Sequence, residues 1–439
     1  MIRLPMKAGI SAGAMAAMLA CPAVAAAQDT ATTAAGTSNV IIVTARNKEE
    51  SLQDVPLAIT AFGEEQIDRL GLQELDDVAR FTPGFSFEDF SGGFAIPVIR
   101  GQAQTRVTAL ETNVSTFYDG IYIPRSWAVD IGTTNLQRVE IVKGPQSARY
   151  GRNAFAGAIN YVPRKAVMDG DISGKIEGTA GIDERFDLGG FLNVSLNDRM
   201  AVFASVNTSE YDGSWENAHP FADLAIDGPS TTGKVGGWDN TSVYLSAVVE
   251  PVDGLIFDFS YNYSDNSNEA RASRYIGEAS GGILDPGQIT ATDNGLRAIT
   301  NCGAVRNGNR PFICGNFPDP AETTLNDPRG FATQAETDIF RASVAYEFSD
   351  GLTLSYVFGL IDGTVDIATS GEPDPINCGT LVTAFGGLCN FQVTPVGDIS
   401  YDSHELRLTF DSGAISGAIG GFYSTGEDNN TFTSVENWR

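Results

Sequence analysis

The second half of the chain is dominated by long stretches in which apolar and polar side chains alternate. Leu255, Phe257 and Phe259 fall on one face of such a stretch, and Asp258 and Ser260 fall on the other. This period of two predicts extended strands rather than helices. The predicted strands lie near 172–180, 186–196, 200–211, 239–250, 254–265, 337–348, 351–362, 402–411 and 414–424, with a further strand over 430–438.

The connections between these strands alternate between short and long. Tight turns are predicted at Asn197–Arg199, Pro251–Gly254, Ser349–Gly351 and Asp411–Gly413, whereas the links 212–238, 266–336 and 363–401 are long. A soluble sandwich also alternates, but strands of about ten residues with aromatic ends, charges on the polar face, and short turns opposite long loops favour a transmembrane barrel. Because outer-membrane barrels have short periplasmic turns and long extracellular loops, the long links are predicted to lie outside the cell.

Residues 57–163 have a different texture. Strands are predicted near Leu57–Phe62, Ile96–Arg100, Ser115–Ile123, Val139–Lys143 and Ala158–Val162. Helical periodicity runs through Ile67/Leu70 and Leu75/Val78 between the first two of these strands. The pattern indicates a compact α/β domain.

The first residues read as a secretory signal. Arg3 and Lys7 precede a small and apolar run, and Ala25-Ala26-Ala27 offers the cleavage site, so 1–27 is predicted to be removed. The leader 28–56 that follows is rich in small residues. Within it a β-branched run is suited to adding to the edge of another protein's sheet, although it could equally be the first strand of the globular fold; its residues are Val40, Ile41, Ile42, Val43 and Thr44.

Composition excludes several function classes. With 42% hydrophobic residues and 48 glycines in 439 residues, the chain is neither disordered nor a helical membrane protein. Its net charge of −27 disfavours nucleic acid as a partner. The nearest candidates for chemistry are scattered carboxylates and two single histidines, His219 and His404, and metal sites need clustered ligands, so we predict no metal, no cofactor and no enzyme activity.

Four cysteines beyond the signal form two locally spaced pairs. In an oxidising compartment the economical pairing is Cys302–Cys314 and Cys378–Cys389, each closing a short loop. Four free thiols are the alternative. Both pairs fall in links predicted to be extracellular.

A set of ordered motifs resembles the TonB-dependent outer-membrane receptors. Asn39–Arg46 with Glu49–Pro56 is similar to the TonB box and plug entry of that family, and the plug signature follows in Ile99–Gly101, Phe117–Tyr122, Arg138–Gln146, Tyr150–Ala154 and Gly157–Asn160. Ser403–Leu408 resembles a recurrent barrel strand. The resemblance covers 39–163 in one order and reappears in the barrel.

This resemblance implies a fold class: an α/β plug domain over 57–163 followed, over 164–439, by antiparallel transmembrane β-barrel strands, roughly ten of an expected 22. The chain is then expected to be a fragment or a truncated product, because an open sheet would leave unpaired backbone edges in lipid. The family also implies that plug arginines pair with a barrel glutamate, here Arg100 or Arg149 with Glu405.

The resemblance implies a location and a function as well. The chain is expected in the outer membrane as a multi-pass barrel, taking up a scarce extracellular ligand with energy from TonB and its inner-membrane complex. Its partners would be TonB, outer-membrane lipid and an extracellular small molecule such as a siderophore or other nutrient. The rival interpretations are a secreted β-rich adhesin or enzyme, and a non-functional truncated receptor.

Overall fold

The computed structural model describes residues 42–43, 50–51, 57–72, 75–90, 94–102, 112–128, 135–150, 153–217, 233–269, 289–291, 297–299, 323–324, 332–370, 391–413 and 415–436. The predicted signal 1–27 and all four cysteines of the proposed disulfides lie outside this part of the chain. In the leader, β1 (Ile42–Val43) pairs antiparallel with β2 (Glu50–Ser51).

The plug consists of short strands and helices. Its elements in chain order are β3 (Ile59–Gly63), α1 (Glu64–Leu70), α2 (Leu75–Arg80), β4 (Phe85–Phe90), β5 (Phe94–Ile99), β6 (Val114–Tyr118), β7 (Ile121–Ile123), a 3-10 turn (Ser126–Ala128), β8 (Leu136–Lys143), α3 (Ser147–Tyr150) and β9 (Gly157–Pro163).

The plug sheet is mixed and has the order β3-β8-β9-β6-β7. Strands β6 and β9 run parallel, and the other neighbours run antiparallel. Strands β8 and β9 carry fully buried Ile141, Ile159 and Tyr161, so the middle of the sheet lies in the core. The predicted strand Ser115–Ile123 is two strands, because a turn at Asp119–Gly120 interrupts it.

After the plug the chain forms one large sheet and small loop strands. In chain order these are β10 (Ile172–Ala180), β11 (Phe186–Asn197), β12 (Met200–Tyr211), β13 (Trp215–Asn217), β14 (Lys234–Val235), β15 (Trp238–Val252), β16 (Leu255–Asn268), β17 (Ile289–Ala291), β18 (Arg297–Ile299), β19 (Thr323–Thr324), β20 (Ala332–Ser349), β21 (Leu352–Ser370), β22 (Phe391–Asp411) and β23 (Ser416–Glu436).

We call the large sheet the wall. It has nine antiparallel strands in the order β10-β11-β12-β15-β16-β20-β21-β22-β23. Seven of the eight neighbouring pairs are joined at the predicted tight turns or through the predicted long links, and β10 and β11 are joined by the short link 181–185. The predicted strand over 430–438 was wrong as a separate element, because its residues continue β23 without a turn. Otherwise the predicted fold class, an α/β plug followed by antiparallel wall strands, is confirmed.

The two faces of the wall differ as the alternation predicts. Leu245, Phe259 and Leu406 project outward and are exposed. Ser260 and Asn262 point inward and are buried against the plug. Among the described residues no helix is long and apolar enough to cross a membrane.

The plug packs directly on the inner face of the wall. One apolar core combines Tyr118, Ile121 and Trp127 of the plug with Tyr244, Ile361 and other wall residues. Plug and wall therefore share a continuous buried interface, and its charged and apolar contacts define the candidate functional site.

Candidate functional site

Four charged side chains join the plug to the wall. Lys165 Nζ lies 2.8 Å from the Asp119 carboxylate and 2.8 Å from the Asp258 carboxylate. Arg341 lies between the same two acids, with Nε 3.9 Å from Asp119 and Nη1 3.3 Å from Asp258. Ser260 donates a hydrogen bond of 2.7 Å to Asp119. We call Asp119, Lys165, Asp258 and Arg341 the four-charge cluster; its two cations balance its two anions.

The cluster is largely removed from water. The side chain of Asp119 is 8% exposed and that of Arg341 14%, so these ions interact more strongly than a surface pair would. Burial acts to raise the pKa of Asp119, but Lys165 and Arg341, with hydrogen bonds from Lys165 and Ser260, outweigh it. The pKa of Asp119 is therefore lower than its ordinary 3.8, and the carboxylate stays ionised.

The backbone conformation at Asp119, like its charge, restricts which residues suit this position. Asp119 and Gly120 both have positive φ, 49° and 81°, in the two-residue turn between β6 and β7. Such turns favour Asp or Asn followed by Gly, because most other side chains are strained in this conformation. The turn projects the Asp119 carboxylate from the plug towards the wall.

Neutral polar groups surround the cluster. The Tyr118 hydroxyl donates a hydrogen bond of 3.0 Å to Asn262 Oδ1. Burial, followed by the nearby Asp119 charge, raises the pKa of Tyr118 far above its ordinary value, so the hydroxyl keeps its proton and remains a donor. Tyr118 also packs edge-on against Tyr244 of the wall, with ring centroids 6.3 Å apart.

Lys165 belongs to the connector between the plug and β10, and the wall holds that connector. The backbone N–H of Ala166 donates to Ser246 at 2.9 Å. Val167 exchanges hydrogen bonds with Asn193 in both directions, at 3.0 and 3.1 Å. The preceding Arg164 still bonds to Asn135 and Glu64 of the plug, so the wall begins to hold the connector at Lys165, whereas Asp119 belongs to the plug.

The next strand of the wall, β21, contacts the plug by shape rather than by charge. On the inner face of β21, a Cβ built at Gly359 would lie 2.3 Å from Ile121 Cδ1, and one built at Gly363 would lie 2.9 Å from the Trp127 ring. These distances are shorter than real Cβ contacts, so a larger residue at either position would have to displace the plug side chain packed there. We call Gly359 and Gly363 the glycine notches, because they accept apolar side chains of the plug.

Further pairs tie the plug to the two ends of the wall. Arg125 forms a largely buried ion pair with Asp428 on β23. At the other end Lys175 on β10 contacts Asp68 of α1 at 3.0 Å, and both side chains are more than 40% exposed. The first pair is shielded from solvent, and the second is an ordinary surface pair.

Arg100 and Glu405 have other neighbours in the structure. Glu405 faces inward, as predicted, but its ion pair is with Arg407 on the same strand. Arg100 is an exposed residue whose guanidinium lies over Gly144, so that a Cβ at 144 would be 3.2 Å from Nη1. Between these two described residues there is no ion pair. The side chain of Arg149 lies outside the described part of the chain.

The predicted leader segment is described only in part. Ile42 and Val43 are extended and paired with Glu50 and Ser51, while Val40, Ile41 and Thr44 lie outside the described residues. The cluster partner Asp119 stands in the predicted plug motif, but sequence reasoning did not assign it a role. The available signal was that Asp258 is the one charge on the polar face of β16, and that Arg341 shares the polar face of β20 only with Glu347 near the strand end among its charged residues from Thr337 onward.

Comparison with known proteins identifies the plug. Residues 51–158 match the family model for the TonB-dependent receptor plug domain. The probable TonB-dependent receptor BfrD of Bordetella pertussis is 34% identical over 116 residues, 26% of this chain and 14% of that protein. The vitamin B12 transporter BtuB of Photobacterium profundum is 24% identical over 185 residues, 42% of this chain and 30% of that protein.

Solved structures extend the likeness to the wall. The siderophore receptor PiuA from Acinetobacter baumannii has a TM-score of 0.63 at 17% identity, covering 87% of this chain and 47% of that one. The ferric yersiniabactin uptake receptor FyuA from Yersinia pestis has a TM-score of 0.61 at 16% identity, covering 86% and 50%. At these identities the likeness concerns the fold.

The chain spans about half the length of those two solved structures and a smaller share of the two curated relatives. The relatives are receptors and transporters, in agreement with the prediction that the chain is not an enzyme. Three findings agree with one another and with an outer-membrane location. They are the match to the plug family model, the packing of the plug on an antiparallel wall, and the likeness to solved receptor structures. The chain belongs to the TonB-dependent receptors of the outer membrane.

Proposed function

We propose that the protein takes up a scarce extracellular ligand across the outer membrane with energy delivered by TonB. The observation that carries this proposal is the seating of a plug domain on the inner face of the wall. A plug in that position blocks the lumen, so transport requires it to move. Ligand binding outside the cell would favour a plug state in which the leader is accessible in the periplasm.

The leader segment 40–44 is the proposed TonB contact. The pairing of Ile42 and Val43 with Glu50 and Ser51 supports this role, because these two residues are extended, as strand addition requires. TonB would pair with it and transmit force from the inner membrane. The ligand is a siderophore-type molecule or another nutrient; the names of the relatives include both siderophore and vitamin B12 receptors.

Substitution of Val43 tests this mechanism. Proline removes a backbone donor and disfavours the strand, so Val43→Pro should abolish binding of the purified TonB C-terminal domain, measured by calorimetry on the detergent-solubilised protein. Val43→Thr is the matched control, since it keeps the β-branched shape and the N–H. Equal binding by the Pro and Thr variants would remove residues 40–44 from the mechanism.

Two further assignments remain proposals. The loop disulfides Cys302–Cys314 and Cys378–Cys389 would stiffen extracellular segments; peptide mapping without reduction tests them, and four free thiols would refute them. A pair between Arg149 and Glu405 would add to the plug seat. A double-mutant cycle with alanine at both positions measures it, and additive effects on plug unfolding would exclude it.

A further inference from the structure

The four-charge cluster is divided unequally between the plug and the wall. Only Asp119 belongs to the plug. Asp258 and Arg341 lie on β16 and β20, and Lys165 is held to the wall through the hydrogen bonds of its neighbours Ala166 and Val167. When the plug is displaced, one anion leaves and three charges stay behind.

The charge left on the wall is positive. Two cations and two anions sum to zero in the closed state, whereas Lys165 and Arg341 with Asp258 alone sum to one positive charge. The groups around them, Ser260 and Asn262, are neutral donors and acceptors. An ion in a narrow lumen with low-dielectric walls acts more strongly than one on an open surface.

We infer that this exposed cationic pair is a specificity element of the transport path: an anionic group of the substrate takes the place of Asp119 between Lys165 and Arg341 as the plug moves aside. This inference rests on the proposed function and deepens it, because it assigns the substrate to the anionic class, such as a carboxylate-bearing or negatively charged metal complex. Asp119 is then an internal mimic of the substrate's charge. Its carboxylate lies between Lys165 and Arg341 while the channel is closed and keeps these two side chains in position.

The exchange also explains why the seat on this side is ionic. Two buried cations left with Asp258 as their one counter-ion are costly, so plug release is easier when another anion can replace Asp119. An apolar contact, such as Ile121 at its glycine notch, offers no such substitution. The anionic substrate would thus lower the cost of opening at the point where it passes.

The test is ion selectivity of the opened channel in a planar lipid bilayer. The receptor is recorded across a potassium chloride gradient, with urea at a concentration that unfolds the plug and leaves the wall folded, and the zero-current potential gives the preference for chloride over potassium. Lys165→Gln and Arg341→Gln should each shift this potential towards potassium, and the double variant should shift it further. Asp258→Asn should shift it towards chloride.

Two comparison variants make the result specific. Arg199→Gln removes a positive charge at an exposed turn, where Arg199 pairs with exposed Asp253, and should leave the potential unchanged. Asp119→Asn should also leave it unchanged once the plug is displaced, while lowering the urea concentration at which channels open. The proposal is overturned if Lys165→Gln and Arg341→Gln leave the potential where it was, or if Asp119→Asn shifts it as much as they do.

The recording contains no TonB, so its outcome is independent of the Val43 variants. If Lys165→Gln and Arg341→Gln shift the zero-current potential as expected but Val43→Pro still binds TonB, only the leader assignment is contradicted. If Val43→Pro loses TonB binding but the lysine and arginine variants do not shift the potential, only the cationic path is contradicted.

Discussion

The plug contacts neighbouring strands of the wall in two different ways, through ion pairs at β16 and β20 and through close apolar packing at β21. The four-charge cluster faces β16 and β20, and the glycine notches lie on β21, the next strand of the wall. The charged side depends on partners that another ion can replace, whereas the notches depend on volume that only a small residue leaves free. The ion pairs can therefore be replaced by pairs with another anion, whereas the apolar contacts form only when the plug is in its closed position. A plug that moves and returns needs both kinds of contact.

The largest expected effect comes from breaking the charged side. Asp119→Asn keeps the turn but leaves two buried cations sharing one anion, which should destabilise the seated plug by ~3–5 kcal/mol. Asp68→Asn, which breaks the exposed Asp68–Lys175 pair, is the matched control and should cost about 0–1 kcal/mol. Urea unfolding of the plug, followed by protection of plug amides from hydrogen exchange, measures both. Equal losses for the two variants would mean that burial adds nothing to the cluster.

Filling a notch should have a smaller effect. Gly359→Ala places a methyl group where Ile121 now lies, and such overpacking typically costs about 1–3 kcal/mol. The second change Ile121→Val removes part of the clash and should restore some of the loss. Gly421→Ala, on a wall strand where a Cβ would meet nothing within 4 Å, is the control. A Gly359→Ala plug as stable as the Gly421→Ala plug would contradict the notch.

The smallest expected effect is a dependence on acid. Because the pKa of Asp119 is depressed in the folded state, its contribution is complete above the ordinary value of 3.8 and is lost as the pH falls through the lower folded value. Lys165, Arg341, Asp258 and Tyr118 surround it. Plug stability should therefore fall more steeply below pH 4 in the native protein than in Asp119→Asn. Parallel curves would show that Asp119 does not titrate in this range.

The wall was largely predictable from the sequence, because lipid and lumen impose opposite demands on alternate residues. The prediction failed at the strand ends. The pattern predicted 351–362, but β21 runs over Leu352–Ser370, because the outer extension keeps its backbone pairing with β20 and β22 beyond the apolar band. The predicted strands near 402–411 and 414–424 are longer for the same reason.

The site was less predictable than the wall. Asp119, Lys165, Asp258 and Arg341 are far apart in the sequence, and only the register of β16 with β20 places Ser260 opposite Arg341. The family resemblance directed attention to Arg100 and Glu405, whereas the ion pair that Glu405 forms is with Arg407. Local patterns specify which face a charge occupies, but the partner depends on how the plug docks.

Position 119 shows how narrowly a single residue can be specified. The left-handed turn conformation favours Asp, Asn and Gly, and the cation pair favours Asp and Glu. The two sets overlap in one amino acid. A library randomised at this codon and selected for a closed, TonB-responsive channel should return aspartate alone, so the sequence of related receptors could be searched at this position for the cation pair without any structure of the wall.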